Sequence, residues 1–174
     1  ISMFLDELKE TGTLEKRMVS KSSVKLNSDQ NLKNGYTPFL WAVKCNKFDT
    51  VQYLAKLGSD INAKGPENMN ALHIAAAKDA PGILEFVLNN GIAVNSLCDH
   101  EIQAIHLAAR EGLVGNAKIL LNHFADINAE SEFCLTPLHY AVRNNRYEMC
   151  QFLLDNGANI QSDASGNTPQ TLAQ

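Results

Sequence analysis

The sequence predicts an all-α solenoid: short helix–turn–helix units stacked one on the next, each followed by a projecting hairpin loop. Three observations predict it. The hexamer TPLHYA at residues 136–141 returns in weaker form as QAIHLA, NALHIA and TPFLWA at successive steps of 33 towards the N-terminus, and as TPQTLA from Thr168. A second motif keeps the same step. VQYLAKLGSDIN ends at Asn62, LEFVLNNGIAVN at Asn95, AKILLNHFADIN at Asn128 and CQFLLDNGANIQ at Gln161. Within that motif the apolar residues fall at helical spacing. Self-similarity at this period marks stacked repeats, because one unit cannot bury its apolar face alone and a neighbour can cover it.

Taken in order, residues 1–31 read as a degenerate first unit and N-terminal cap, MFLDELKETGTLEKRM forming two short helices broken at Gly12. Four full units follow, at 32–64, 65–97, 98–130 and 131–162, then a short last unit at 163–174. Thr-Pro opens the first helix in the first and fourth of these, since Pro suits the first helical position. Alanines such as Ala75, Ala76, Ala108 and Ala109 let that helix approach its neighbours closely. A brief turn comes next, carried by Gly112 in the third unit and Asn145 in the fourth. The second helix then sets Leu84, Val87 and Leu88, or Leu120 and Leu121, or Leu153 and Leu154, on one face. Gly58, Gly91 and Gly157 end it in the left-handed conformation that Gly adopts at least cost. The histidines His73, His106 and His139 are expected to hydrogen-bond backbone in the adjoining loop, and Trp41 to lie in the core between two layers.

Some positions depart from the pattern. The second unit has Asn70-Ala71 in place of Thr-Pro, and its inter-helix turn is Asp79-Ala80-Pro81. The loop position two before Thr-Pro is Gly35 and Gly166 in two units but Asn68, Glu101 and Cys134 in the others; the last two tolerate positive φ poorly. Phe124 stands where Gly should end the helix, so either the backbone is rearranged or a bulky residue is held under strain. The start at Ile1 and the short final unit, with Leu172 and Ala173 closing the stack, lead us to expect a piece of a longer protein.

These motifs resemble the ankyrin repeat: the TPLH-x-A start, the paired Leu and the G-A-D-I/V-N ending, over about residues 32–174. The resemblance implies a protein–protein interaction module whose concave face, made by the first helices and loop tips, receives a partner protein or peptide. Just before each hexamer stand Tyr36, Met69, Ile102, Leu135 and Asn167. Four of these are large and apolar, and they are expected to line up at about 10 Å per layer. Phe133 widens the line, and Lys33, Lys44, Lys78, Arg110 and Arg143 flank it. The alternative is that this strip packs sideways on neighbouring loops. The resemblance also raises hydroxylation of Asn62 and Asn128, each with Leu eight residues before and Asp-Ile directly before; the alternative is a hydrogen bond within the turn.

Composition narrows the function classes. A net charge of −4 gives no reason to expect nucleic-acid binding. The charge is uneven: residues 1–64 carry 10 basic and 7 acidic side chains, residues 65–174 carry 5 and 12. No apolar run reaches the ~18 residues a membrane span needs. Cys45, Cys98, Cys134 and Cys150 form no CxxC pair or zinc spacing, which suits a reducing, intracellular setting, cytoplasmic or else nuclear. His73, His106 and His139 sit in successive layers, too far apart to share a metal ion. His100 and His123 show no ligand or catalytic partner, and Cys45, on the groove side of its helix, has no activating neighbour beyond Lys44 and Lys47. No nucleophile elbow, P-loop or zinc-protease motif is present. The reading is of a non-enzymatic module with no cofactor, monomeric unless it self-associates through a repeat end. The alternative is a regulatory or targeting domain of a larger channel, enzyme, effector or toxin.

Overall fold

The computed structural model describes residues 35–172. The expected N-terminal cap at residues 1–31 lies outside them, as do Lys33 and Ala173. The described chain is nine α-helices in two rows. The inner row holds α1 (Pro38–Lys44), α3 (Ala71–Ala76), α5 (Ala104–Glu111), α7 (Pro137–Arg143) and α9 (Pro169–Leu172). The outer row holds α2 (Phe48–Lys56), α4 (Pro81–Asn89), α6 (Val114–Asn122) and α8 (Tyr147–Asp155). Helices α1 to α8 pack in pairs within their layers, and each helix packs on its counterpart in an adjoining layer, α9 on α7 alone. Phe39, Leu72, Ile105 and Leu138 occupy one register position and are all buried, as are Val87, Leu120 and Leu153 in another. Each such side chain stabilises the stack by roughly 1.5–3 kcal/mol.

First helices begin as the sequence requires. Thr37 Oγ accepts from Leu40 N–H at 3.2 Å and Asn70 Oδ1 from His73 N–H at 3.2 Å. Three histidines then tie each layer to the next loop. His106 Nδ1 accepts from Gln103 N–H at 3.1 Å, while its Nε2–H donates to the carbonyls of Ala129 (2.9 Å) and Leu135 (3.1 Å). His73 reaches Ser96 O at 3.0 Å and His139 reaches Asn167 O at 3.3 Å in the same way. The first unit has Leu40 in this slot and makes no such bridge. Gln103, standing where other units have Thr or Asn, keeps its buried Oε1 without a hydrogen-bond partner among the described residues.

The inter-helix turns differ. Gly112 (φ 76°) and Asn145 (φ 53°) turn left-handed as expected, and so does Asn46 (φ 52°). The Asp79-Ala80-Pro81 turn has no left-handed residue. The carbonyls that lead into it are met from the next layer: buried Asn116 on α6 donates Nδ2–H to the carbonyls of Lys78 (2.6 Å), Ala76 (3.2 Å) and Ala75 (3.3 Å). Around Gly112 the reverse occurs. Arg146 crosses from the next layer and donates Nε–H to Arg110 O at 3.0 Å.

Each hairpin loop closes with one bond across its base, such as Gly65 N–H to Met69 O at 2.8 Å and Cys98 N–H to Ile102 O at 3.0 Å. The arms are so short that no strand forms among the described residues. Loops 65–69 and 98–102 need two left-handed residues each, Glu67-Asn68 and His100-Glu101, whereas loop 131–135 needs only Cys134. Two left-handed central residues form a hairpin turn that Asn-Gly would adopt more cheaply. Phe124 is held at φ 66° with its ring 88 % exposed, so the helix end is not rearranged and the residue is the strained one.

Candidate functional site: the concave face

The inner helices and loop tips frame one face, and the 33-residue register decides what lines it. Tyr36, Met69 and Ile102 stand in successive layers, each half-buried. Met69 rests against the core on one side and keeps the other open. Leu135 differs: it is only 6 % exposed, so it forms floor rather than contact surface. At that layer the apolar surface passes to Phe133, which is 56 % exposed.

Trp41 does not lie in the core. It shares a register position with buried Ile74 and Leu107 and with half-buried Tyr140. It is half-buried and meets the Tyr36 ring edge-on at 5.8 Å. Lys44 Nζ lies 4.2 Å from the Tyr36 centroid and 5.4 Å from that of Trp41, so this end of the face is two rings and a cation held together by cation–π attraction.

The flanking cations lie at the C-terminal ends of the inner helices. Lys44, Arg110 and Arg143 share one register position; Ala77 holds it in the second layer, with Lys78 one residue on. A cation there is favoured by the helix dipole. Arg110 pairs with Glu111 at 3.0 Å, whereas Lys78 and Arg143 are exposed and form no ion pair among the described residues.

His100 has the partner that its sequence neighbourhood does not show. Its Nδ1 lies 2.7 Å from Glu132 Oε2, one loop further on, and its ring stacks on Phe133 at 6.4 Å. The hydrogen bond to Glu132, and then its charge, push the His100 pKa up. The backbone joins the same two loops, Glu132 N–H donating to His100 O at 3.0 Å.

Little here supports bond-making chemistry. Burial pushes the His106 pKa down to about 4 and lowers that of His73, and both ring nitrogens of each are already hydrogen-bonded. Burial raises the Cys98 and Cys150 thiols, away from nucleophile character. Cys45 caps the end of α1, half-buried. Among the described residues no three His, Cys, Asp or Glu side chains are grouped to hold a metal ion, and no helix is long and apolar enough to cross a membrane. The turn asparagines work across layers: Asn128 Oδ1 accepts from Asn159 N–H at 2.7 Å and Asn95 Oδ1 from Asp126 N–H at 3.2 Å.

Stacked helix pairs, histidine bridges and projecting loops in one register are matched by a family model described as ankyrin repeats (3 copies), over residues 13–98 and 72–164. The chain belongs to the ankyrin-repeat family. Ankyrin repeats are protein-interaction modules. A similar curated protein is the NF-kappa-B inhibitor delta of Mus musculus, 38 % identical over 61 residues, which are 35 % of this chain. The match spans 19 % of that protein's length.

Residue types alone did not reveal Asn116, Arg146 or the His100–Glu132 clasp. Asn116 carried one signal: it is a polar residue in a register position that holds Ile83 and Met149 in the adjoining layers.

Proposed function

We propose that this ankyrin-repeat chain is a non-enzymatic binding module that seats a partner protein or peptide on its concave face. The observation that carries this reading is the strip of Tyr36, Met69 and Ile102, half-open in three consecutive layers beside the exposed cations Lys78 and Arg143, which form no ion pair among the described residues. An apolar row that the stack leaves partly uncovered gains by meeting a partner. A scaffold already ordered by its layers loses little entropy when it does so. Phe133 extends the contact, Lys44 and Arg110 border it, and Leu135 supports it from beneath. We place the module in a reducing compartment, cytoplasmic or nuclear, on the strength of its four free thiols.

A second reading is favoured by the relative named above, an inhibitor in which the matched segment is a small part of a longer chain. The module would then act as the regulatory part of a larger protein, holding a partner so as to block it.

The test is affinity capture with the chain and with the double substitution Met69→Ser/Ile102→Ser, followed by titration of each captured protein. A groove partner loses affinity by about tenfold or more, as expected when central apolar contacts are truncated, while circular dichroism stays unchanged. Equal affinity in a folded double variant rejects the groove.

A further inference from the structure

Opposite charges line the two sides of the concave face, and they do not neutralise each other. After Gly65 the chain has 5 basic residues. Lys78, Arg110, Arg143 and Arg146 all lie at the ends of first helices or in the turns that follow; only Lys118 lies elsewhere. Across the face, the tips of the loops carry Glu67, Asp99, Glu101 and Glu132, all exposed. The loop side also holds Lys64 and the clasped His100, and the helix-end side also holds the exposed Asp79 beside Lys78 and Glu111, which pairs with Arg110. The helix dipole accounts for cations at helix ends, but it does not account for carboxylates at the loops opposite. No ion pair among the described residues joins the two sides; the pairs present are Arg110 with its neighbour Glu111 and His100 with Glu132. Between the rows lies the strip of Met69 and Ile102.

We infer that the occupant of this face is an amphipathic α-helix of a partner protein, with carboxylates along the edge that meets the helix ends and cations along the edge that meets the loop tips. This rests on the groove reading above. Charge complementarity fixes the two edges. Layer spacing and the width of the face together fix the conformation. Successive layers lie roughly 10 Å apart. Seven residues of α-helix rise about 10.5 Å in two turns and bring the same face round again. Three residues of β-strand also span about 10 Å, but an odd number puts successive contacts on opposite sides. Polyproline II does repeat its face every three residues, about 9 Å. The two rows, however, are set apart by the length of α3 or α5, 6 and 8 residues, or about 9–12 Å, and an α-helix with its side chains, about 10–12 Å across, fills that width. A helix therefore keeps its apolar side chains on Met69 and Ile102 and its two charged edges in register with every layer. The opposed rows also set its direction, because turning the helix end for end exchanges its edges.

The test pans a phage-displayed library of random peptides about 20 residues long against the chain, the length a helix needs to cross three layers. Binders are then divided by whether Met69→Ser/Ile102→Ser abolishes capture. Groove-dependent binders should show apolar residues at heptad spacing, acidic residues along one edge and basic residues along the other. Their affinity should fall about tenfold or more with Lys78→Glu/Arg143→Glu, and by a similar factor with Glu67→Lys/Glu101→Lys. Combining all four substitutions should recover most of the loss, since the same peptide then fits in the opposite direction; that recovery also shows that the variants fold. Groove-dependent binders that carry one sign of charge, or that respond to one row alone, overturn the inference and leave the groove standing. Binders that are all indifferent to Met69 and Ile102 overturn both.

Discussion

His106 and Ile102 lie four residues apart and meet different demands. His106 commits both ring nitrogens to backbone, one within its own layer and one in the next, and is fully buried. Ile102 is half-buried, and the cations that border its row, Lys78 and Arg143, form no ion pair among the described residues. The same 33-residue step builds both. At the seam between layers each polar atom must find a partner or cost stability. On the concave face a side chain can vary without disturbing the stack. This contrast predicts which substitutions unfold the protein and which only change what it binds.

The largest effect is expected at Asn116. Replacing it with Leu leaves Ala76 O without its donor and takes a second donor from Ala75 O and Lys78 O, which keep Lys78 N–H and Ala80 N–H; together these losses should lower unfolding stability by about 3 kcal/mol in urea titration. Acidification attacks the same seam. The His106 pKa is pushed down to about 4 in the fold against 6.5 in the unfolded chain, so the unfolded state takes up the proton first. The contribution is fully present above pH 6.5 and lost as pH falls towards 4, a change on the order of 3 kcal/mol for this residue. His73, lowered for the same reason, adds in the same direction. The urea midpoint should therefore drop between pH 7 and pH 5, and drop less in His106→Leu, whose pH 7 stability is already reduced. A smaller change of opposite sign is expected from Gln103→Thr, which removes the unpartnered Oε1 and restores the cap found at Thr37. It should raise stability by about 1 kcal/mol. Smallest is the groove itself: Met69→Ser/Ile102→Ser should cost less than about 2 kcal/mol in total, because both side chains are already partly in water.

The stack was readable from sequence because its signals are local and repeated. Thr-Pro at a helix start, Gly58, Gly91 and Gly157 at helix ends, and the histidine slot each report a constraint within a few residues. The errors lie where the constraint comes from another layer. Asn116 answers a turn that lacks a left-handed residue, and its partner Ala75 is 41 residues away. Trp41 is expected in the core from sequence, but it lies half-buried at the end of the face, against Tyr36. Leu135 and Ile102 look alike in sequence, yet the loops they close turn differently, with one left-handed residue in the first and two in the second. His100 finds Glu132 only because neighbouring loops pair side by side. On the concave face the strip and the cations could be named in sequence, but which of them are open could not, since exposure there depends on each loop's turn.

If the seam builds the stack and the concave face binds the partner, hydrogen exchange measured with and without a captured partner will separate the two. Slowed exchange in loops 65–69 and 98–102 and at the C-terminal ends of α3 and α5, with α4 and α6 unchanged, is the predicted result. Protection confined to the outer helices α4 and α6 would contradict it.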